Sequence, residues 1–212
     1  MTADPDWRAE DAAAVLREDE TMAALVDRHG VLDVDPAEDP FQRLVVSILR
    51  QQVSMASAAA TRERLFDAVE VTPEGVLAAD PQVLRDAGLS RQKTRYVRSV
   101  AEAFRDRGYD RAYFQGMDDE AVVDELTAIT GVGEWTARMQ LIFTLRRPDV
   151  FPVGDLGVRD GMATLFGMDR EARAAMVDRA EAWRPYRTLA TLYLWRVTED
   201  IAESVDEVTA DA

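Results

Sequence analysis

Cysteine is absent from the 212 residues, histidine occurs once (His29) and lysine once (Lys93). Without thiols there is no disulfide framework, thiolate zinc site, cysteine nucleophile or cysteine-ligated iron–sulfur cluster. A single histidine excludes a His-rich metal site, and a Ser-His-Asp triad could use no histidine but His29. No apolar run approaches about 18 residues, the length of a membrane span. The first ten residues are acidic, unlike the basic-then-apolar opening of a signal peptide. These absences predict a soluble, cytoplasmic chain with no membrane partner. What is present is a globular composition, 47% hydrophobic and 31% charged. At this length a chain of one or two domains can bury about 70% of its unfolded surface.

Forty acidic residues stand against 25 basic ones, a net charge of −15 that by itself argues against a polyanionic partner. The excess is uneven. Residues 1–40 carry 12 acids and 3 bases, and residues 196–212 carry 6 acids and 1 base, so the middle, 41–195, is left at net −1. Within it, 85–111 holds 8 bases against 4 acids, a local charge of +4. An acidic, arginine-rich chain with one lysine has the composition of a protein kept soluble at very high salt. Ordinary acidic surface seldom removes lysine so thoroughly.

Nearly every segment repeats its apolar residues with a period of about 3.6 and none alternates convincingly, so the fold class is all-α. The pattern predicts helices over 8–29, 38–50, 54–69, 91–107, 118–129, 134–145, 170–182 and 185–202, with short helical turns opening at Pro73 and Pro81. In 91–107, Tyr96, Val97, Val100, Ala101 and Phe104 form one apolar face, with Arg91, Arg95, Arg98 and Arg105 off it. There are no internal repeats, low-complexity tracts or long linkers.

The most specific local pattern lies between Leu126 and Ala137, where Gly131-Val132-Gly133 separates two helical stretches. Gly131 suits the left-handed backbone at a helix C-terminus, and Gly133 allows close approach of a partner. The unpaired N–H groups that open the second helix make an anion site without positive side chains. This is a helix-hairpin-helix grip for a DNA backbone; the alternative is a tight αα-hairpin with no ligand. Further on, a Pro/Gly-rich connector, Asp149 to Arg159, presents Asp155 just ahead of another helical stretch, as a functional carboxylate, an N-cap or both. Glu181 to Arg187 continues through Leu189 to Tyr193 and Trp195, where Trp183 and Tyr186 suit core packing. Phe41 to Ser54 is an apolar helix ending in two amides, Gln51 and Gln52, which could equally be solvated end residues.

These four segments, in this order and together with Gly88-Leu-Ser-Arg-Gln-Lys93, resemble the helix-hairpin-helix DNA glycosylase superfamily, 3-methyladenine DNA glycosylase II (AlkA) type. The resemblance covers roughly 37–200 and implies two helical lobes flanking a cleft. A middle lobe, 38–150, would contain the hairpin at 120–145, and a second lobe would combine 1–37 with 151–205. The family's N-terminal β-rich domain has no room here, so a short form is expected.

By that resemblance Asp155 falls on the catalytic carboxylate. Trp135 stands where glycosylases that also cut the backbone carry a lysine nucleophile, which implies a monofunctional enzyme without lyase activity. Trp135, Trp195, Met139 and Leu156 match the base pocket; the last two replace a tyrosine and an aromatic found in some members. Gln52 matches the side chain inserted into the gap left by the extruded base, and Gln51, Gly131, Val132, Gly133 and Thr136 match DNA-binding positions. Backbone carbonyls of Thr127, Ile129 and Val132 match a site for a monovalent cation, Na or K, and no cofactor is implied for catalysis. The expected partner is double-stranded DNA containing a damaged base, the expected substrate an alkylated purine such as 3-methyladenine, and the expected protein a monomer, nucleoid-associated when acting on DNA. Two other readings are a catalytically silent helix-hairpin-helix DNA-binding protein and a glycosylase for oxidised or mismatched bases. The missing cysteines exclude the iron–sulfur branch of the latter, and Trp135 in place of lysine disfavours the oxoguanine branch.

Overall fold

Side-chain caps decide where most helices begin. The computed structural model describes residues 7–197. Its helices are α1 (Ala9–Leu16), α2 (Glu20–His29), α3 (Pro40–Arg50), α4 (Met55–Ala68), α5 (Pro73–Ala78), α6 (Pro81–Asp86), α7 (Arg91–Arg107), α8 (Arg111–Gln115), α9 (Asp119–Thr127), α10 (Glu134–Phe143), α11 (Leu156–Phe166), α12 (Arg173–Ala180) and α13 (Arg187–Arg196), with a 3₁₀ turn at Glu181–Trp183. No strand occurs among the described residues, as the all-α reading requires. Asp19, Asp39, Asp80, Asp110, Asp118 and Asp155 each accept backbone N–H groups at a helix start, as do Ser54, Thr72 and Ser90. Part of the acidic excess is thus spent where helix dipoles favour it. Pro40, Pro73 and Pro81 occupy first-turn positions, where the missing N–H costs nothing.

The helix predicted over 8–29 is two helices. Asp19 turns its carboxylate onto the N–H groups of Thr21 and Met22, starting α2 afresh. Its other oxygen accepts from Arg179 and Trp183. Burial alone would raise the Asp19 pKa, but these donors outweigh it and hold the carboxyl below its ordinary value. The segment predicted as a helix over 170–182 begins later, at Arg173, and gives way to the 3₁₀ turn. The 185–202 helix ends at Arg196, and the part beyond 197 lies outside the described residues. The short α8 was not predicted.

The chain forms two units, Ala37–Gln140 and, among the described residues, 7–36 with 141–197. The boundary therefore falls inside α10 rather than at 150. Residues 147–150 are bound to α13: Thr188 Oγ1 donates to the Arg147 carbonyl and accepts from Val150 N–H, and Thr191 Oγ1 donates to the Val150 carbonyl.

In the first unit α3 buries Phe41, Leu44, Val45, Ile48 and Leu49, and packs on α7. Phe41 meets Phe104 of α7 edge-on, with ring centroids 5.4 Å apart. In the second unit α13 is buried from Thr188 to Trp195 and packs on α11. That approach is close enough that a Cβ at Gly161 would lie 2.6 Å from the Leu194 carbonyl oxygen. No helix among the described residues is long and apolar enough to cross a membrane.

Candidate nucleic-acid interface and carboxylate site

The unit spanning 37–140 contains the hairpin. α9 ends at Thr127, Ile129 N–H closes onto the Leu126 carbonyl, and Val132 N–H onto that of Ile129. Gly131 has φ +97, a left-handed value that only glycine adopts cheaply, and a Cβ there would sit 2.2 Å from Tyr96 Cγ. Glycine is required at 131 on both counts. At Gly133 a Cβ would meet nothing within 4 Å, so the chain's own packing does not demand glycine there. The first intrahelical bond of α10 runs from Ala137 N–H to the Gly133 carbonyl. The N–H groups ahead of it belong to the open first turn of the helix.

Gln51 is not a solvated end residue. Its Nε2 donates to the Gly131 carbonyl at 3.1 Å and to Thr136 Oγ1 at 3.3 Å, tying the end of α3 to the hairpin turn. Thr136, expected at the DNA surface, is buried, and its hydroxyl serves this internal tie. Gln52 is exposed with φ +58, a left-handed backbone that is uncommon for a non-glycine residue and costs about 1–2 kcal/mol. The chain bends sharply there and turns the side chain outward. Val53 beside it is also exposed.

A cavity of about 680 Å³ lies in this unit, lined by Gln51, Gln52 and Val53 from the α3 end, Ser90, Gln92, Lys93 and Tyr96 from α7 and its cap, and Gly131 to Gly133 with Trp135 and Thr136. Trp135, 38% exposed, is the more exposed of the two aromatics lining it, whereas Met139, assigned to the base pocket by resemblance, is buried within α10. The Val132 side chain is buried too. Lys93, named on sequence only as part of a motif and as the sole lysine, donates from Nζ to the Leu49 carbonyl at 2.5 Å. Burial pushes its pKa below the ordinary lysine value.

Asp155, Leu156 and Trp195 come together in the other unit. Asp155 caps α11: its Oδ1 accepts from Val158 N–H at 2.9 Å and from Trp195 Nε1 at 2.9 Å. It is therefore an N-cap and, at the same time, a carboxylate aimed by a tryptophan 40 residues away. Trp195, expected as a wall of the base pocket, is 5% exposed and stacks on Phe143, with ring planes 15° apart. Leu156 is exposed, at 58%. Sequence reading missed Phe143 as the support of the Trp195 ring; an aromatic at the end of an apolar helix carried no separate signal.

Among the described residues no group of three or more His, Asp or Glu could hold a metal ion. The carbonyls named for a monovalent cation lie at the C-terminal end of α9 and in the turn after it, the negative end of the helix dipole. That donor set is all neutral oxygen, which suits a hard monovalent cation.

Residues 45–185 match the family model described as the HhH-GPD superfamily base excision DNA repair protein. The chain is 30% identical to DNA-3-methyladenine glycosylase 1 of Schizosaccharomyces pombe over 76% of this chain and 74% of that one. Among solved structures, a DNA-3-methyladenine glycosidase from Bacillus halodurans has 33% identity and a TM-score of 0.78, covering 93% of this chain and 92% of its own. The S. pombe 3-methyladenine DNA glycosylase Mag1, in complex with abasic DNA, has 28% identity and a TM-score of 0.78, covering 90% and 98%. With a family model matched over most of its length and a fold shared over nine-tenths of it, the chain belongs to the HhH-GPD superfamily of base excision DNA repair proteins.

Proposed function

We propose that the protein is a monofunctional DNA glycosylase of base excision repair that releases alkylated purines such as 3-methyladenine from damaged double-stranded DNA. The observation that carries this reading is Asp155, held at the head of α11 by Val158 N–H and Trp195 Nε1 in a chain of this family.

A base inside a duplex is unreachable and must be flipped out at a cost of a few kcal/mol, less where damage weakens pairing. Gln52, turned outward by its left-handed backbone, would fill the vacated stack. The open first turn of α10 and the Gly131–Gly133 turn would hold the phosphate backbone through N–H groups, with open space at Gly133 for close approach. Thr127, Ile129 and Val132 would offer their carbonyls to a Na or K ion, which would supply a positive charge toward the phosphate when bound. A purine alkylated at N3 or N7 is cationic and already a good leaving group. It needs an electron-rich face, which the exposed Trp135 ring offers at about 0.5–2 kcal/mol. It needs little acid catalysis. As the glycosidic bond breaks, positive charge develops on the sugar, and the Asp155 carboxylate would stabilise it and orient the attacking water.

The composition supports a second element of the proposal: a protein adapted to molar salt, with 24 arginines against one lysine and a net charge of −15.

Asp155→Asn tests the assignment. Asparagine caps a helix about as well as aspartate, so the fold is retained and only the charge is lost. Base release should vanish while binding to a duplex with an abasic-site analogue persists. Turnover within about tenfold of wild type, a barrier change of only about 1.4 kcal/mol, would leave Asp155 a helix cap and nothing more.

A further inference from the structure

The sole lysine sits where local rules disfavour it. Ser90 caps α7 and accepts from Lys93 N–H, so Lys93 occupies the first turn, at the positive end of the helix dipole. Its ammonium is also half-buried, which makes the charge more costly. A chain that uses arginine at 24 other basic positions has kept an amine here. The contact that offsets these costs is tertiary: Nζ donates to the Leu49 carbonyl, in the last turn of α3, where carbonyls lack intrahelical partners and the dipole is negative. A point donor on a flexible stem suits a single carbonyl reached in a confined place, whereas the planar guanidinium fork is larger and directs its donors along fixed lines.

Leu49 lies three residues before Gln52. The turn between them is restrained by the Lys93 bond to Leu49 and by the Gln51 amide bonds to Gly131 and Thr136, among other contacts. Gln52 then holds a left-handed backbone at φ +58, which a non-glycine residue keeps only when its surroundings over-determine it. We propose that Lys93 is a positioning residue: by clamping the last turn of α3 it holds Gln52 in the outward conformation used to occupy the gap in a flipped-base duplex. Lys93 makes no bond to the reacting atoms in this role. The inference rests on the DNA-binding part of the proposed function, which puts Gln52 in the gap of the duplex, and not on Asp155 or on base release.

The test is a double-mutant cycle on the full chain. Wild type, Lys93→Met, Gln52→Ala and the double variant are compared for Kd on a duplex containing an abasic-site analogue. Base release from alkylated DNA is measured in parallel on wild type. Lys93→Met and Gln52→Ala should each weaken binding about tenfold, and the double variant should fall within about twofold of Gln52→Ala alone, because coupled residues do not add. Losses that multiply, or a Lys93→Met variant that binds like wild type, overturn the proposal. A wild type that binds the abasic duplex with this coupling but releases no base refutes the glycosylase reading and leaves the Lys93 inference standing. A wild type that does not bind the duplex overturns both. If Lys93→Met melts below the assay temperature by circular dichroism, the cycle is run with Lys93→Arg, which keeps the charge, and the same outcomes decide.

Discussion

Replacing Trp195 by phenylalanine separates two things that the indole does in this structure. It keeps an aromatic ring to stack on Phe143 and removes the N–H that reaches Asp155 Oδ1 at 2.9 Å. A hydrogen bond to a charged group contributes about 1.5–3 kcal/mol. If that energy serves to hold the carboxylate where positive charge develops, its loss appears in the barrier, where each 1.36 kcal/mol is about tenfold. Base release should therefore slow by about 10- to 100-fold. The fold should suffer less: Asp155 still caps α11 through Val158, and the lost ring atoms in a buried place cost about 1–2 kcal/mol. For a chain of this size that lowers Tm by about 2–8 °C, so single-turnover release is measured well below the shifted melt. Binding to an abasic-site duplex serves as the control and should change little. Phe143→Leu, which removes the stack and spares the N–H, should slow release much less than Trp195→Phe. A folded Trp195→Phe protein that releases base at more than a third of the wild-type rate would refute the idea that the indole aims Asp155.

Three further outcomes are expected. Gly131→Ala places a Cβ 2.2 Å from Tyr96 on a left-handed backbone, and should cost about 3 kcal/mol or more in a denaturant melt; adding Tyr96→Ala should restore only the steric part, and full restoration would show that φ carries no strain. Borohydride should trap no covalent enzyme–DNA adduct, since Trp135 cannot form a Schiff base and the one lysine is engaged with Leu49; a trapped species mapping to Lys93 would overturn the monofunctional assignment. Raising potassium chloride from about 0.1 to 3 M, with screening length near 3 Å at 1 M, should raise both Tm and base release. Screening relieves repulsion within a chain of net charge −15 and spares short backbone hydrogen bonds to phosphate. A rate that falls steadily with a flat Tm would reject the high-salt reading without touching the glycosylase assignment.

Much of the architecture was legible along the chain because its determinants are local. The apolar stripe of 91–107 and its Ser90 cap define α7 over the predicted bounds, and the prolines at 73 and 81 open helices as proline at a first position does. Gly131 was readable as the left-handed residue of the hairpin, and Asp155 as a capping carboxylate after a Pro/Gly connector. The 8–29 stretch was read as one helix although Arg17 to Thr21 holds no apolar residue; what breaks it is Asp19, which caps α2 and is also drawn to Arg179 and Trp183 about 160 residues on.

What sequence alone determined is therefore the helical class, the place of the hairpin and the Asp155 cap of α11, each set by backbone rules acting over one or two turns. Tertiary structure decided how the side chains are used. Trp195 reaches Asp155 across 40 residues, Lys93 reaches Leu49 across 44, and Gln51 reaches Gly131 across 80. Each is a directional bond of about 3 Å or less between groups that periodicity treats as interchangeable with their neighbours. A helical pattern specifies which face is buried, but a hydrogen bond at such separation exists only once packing has brought donor and acceptor into line.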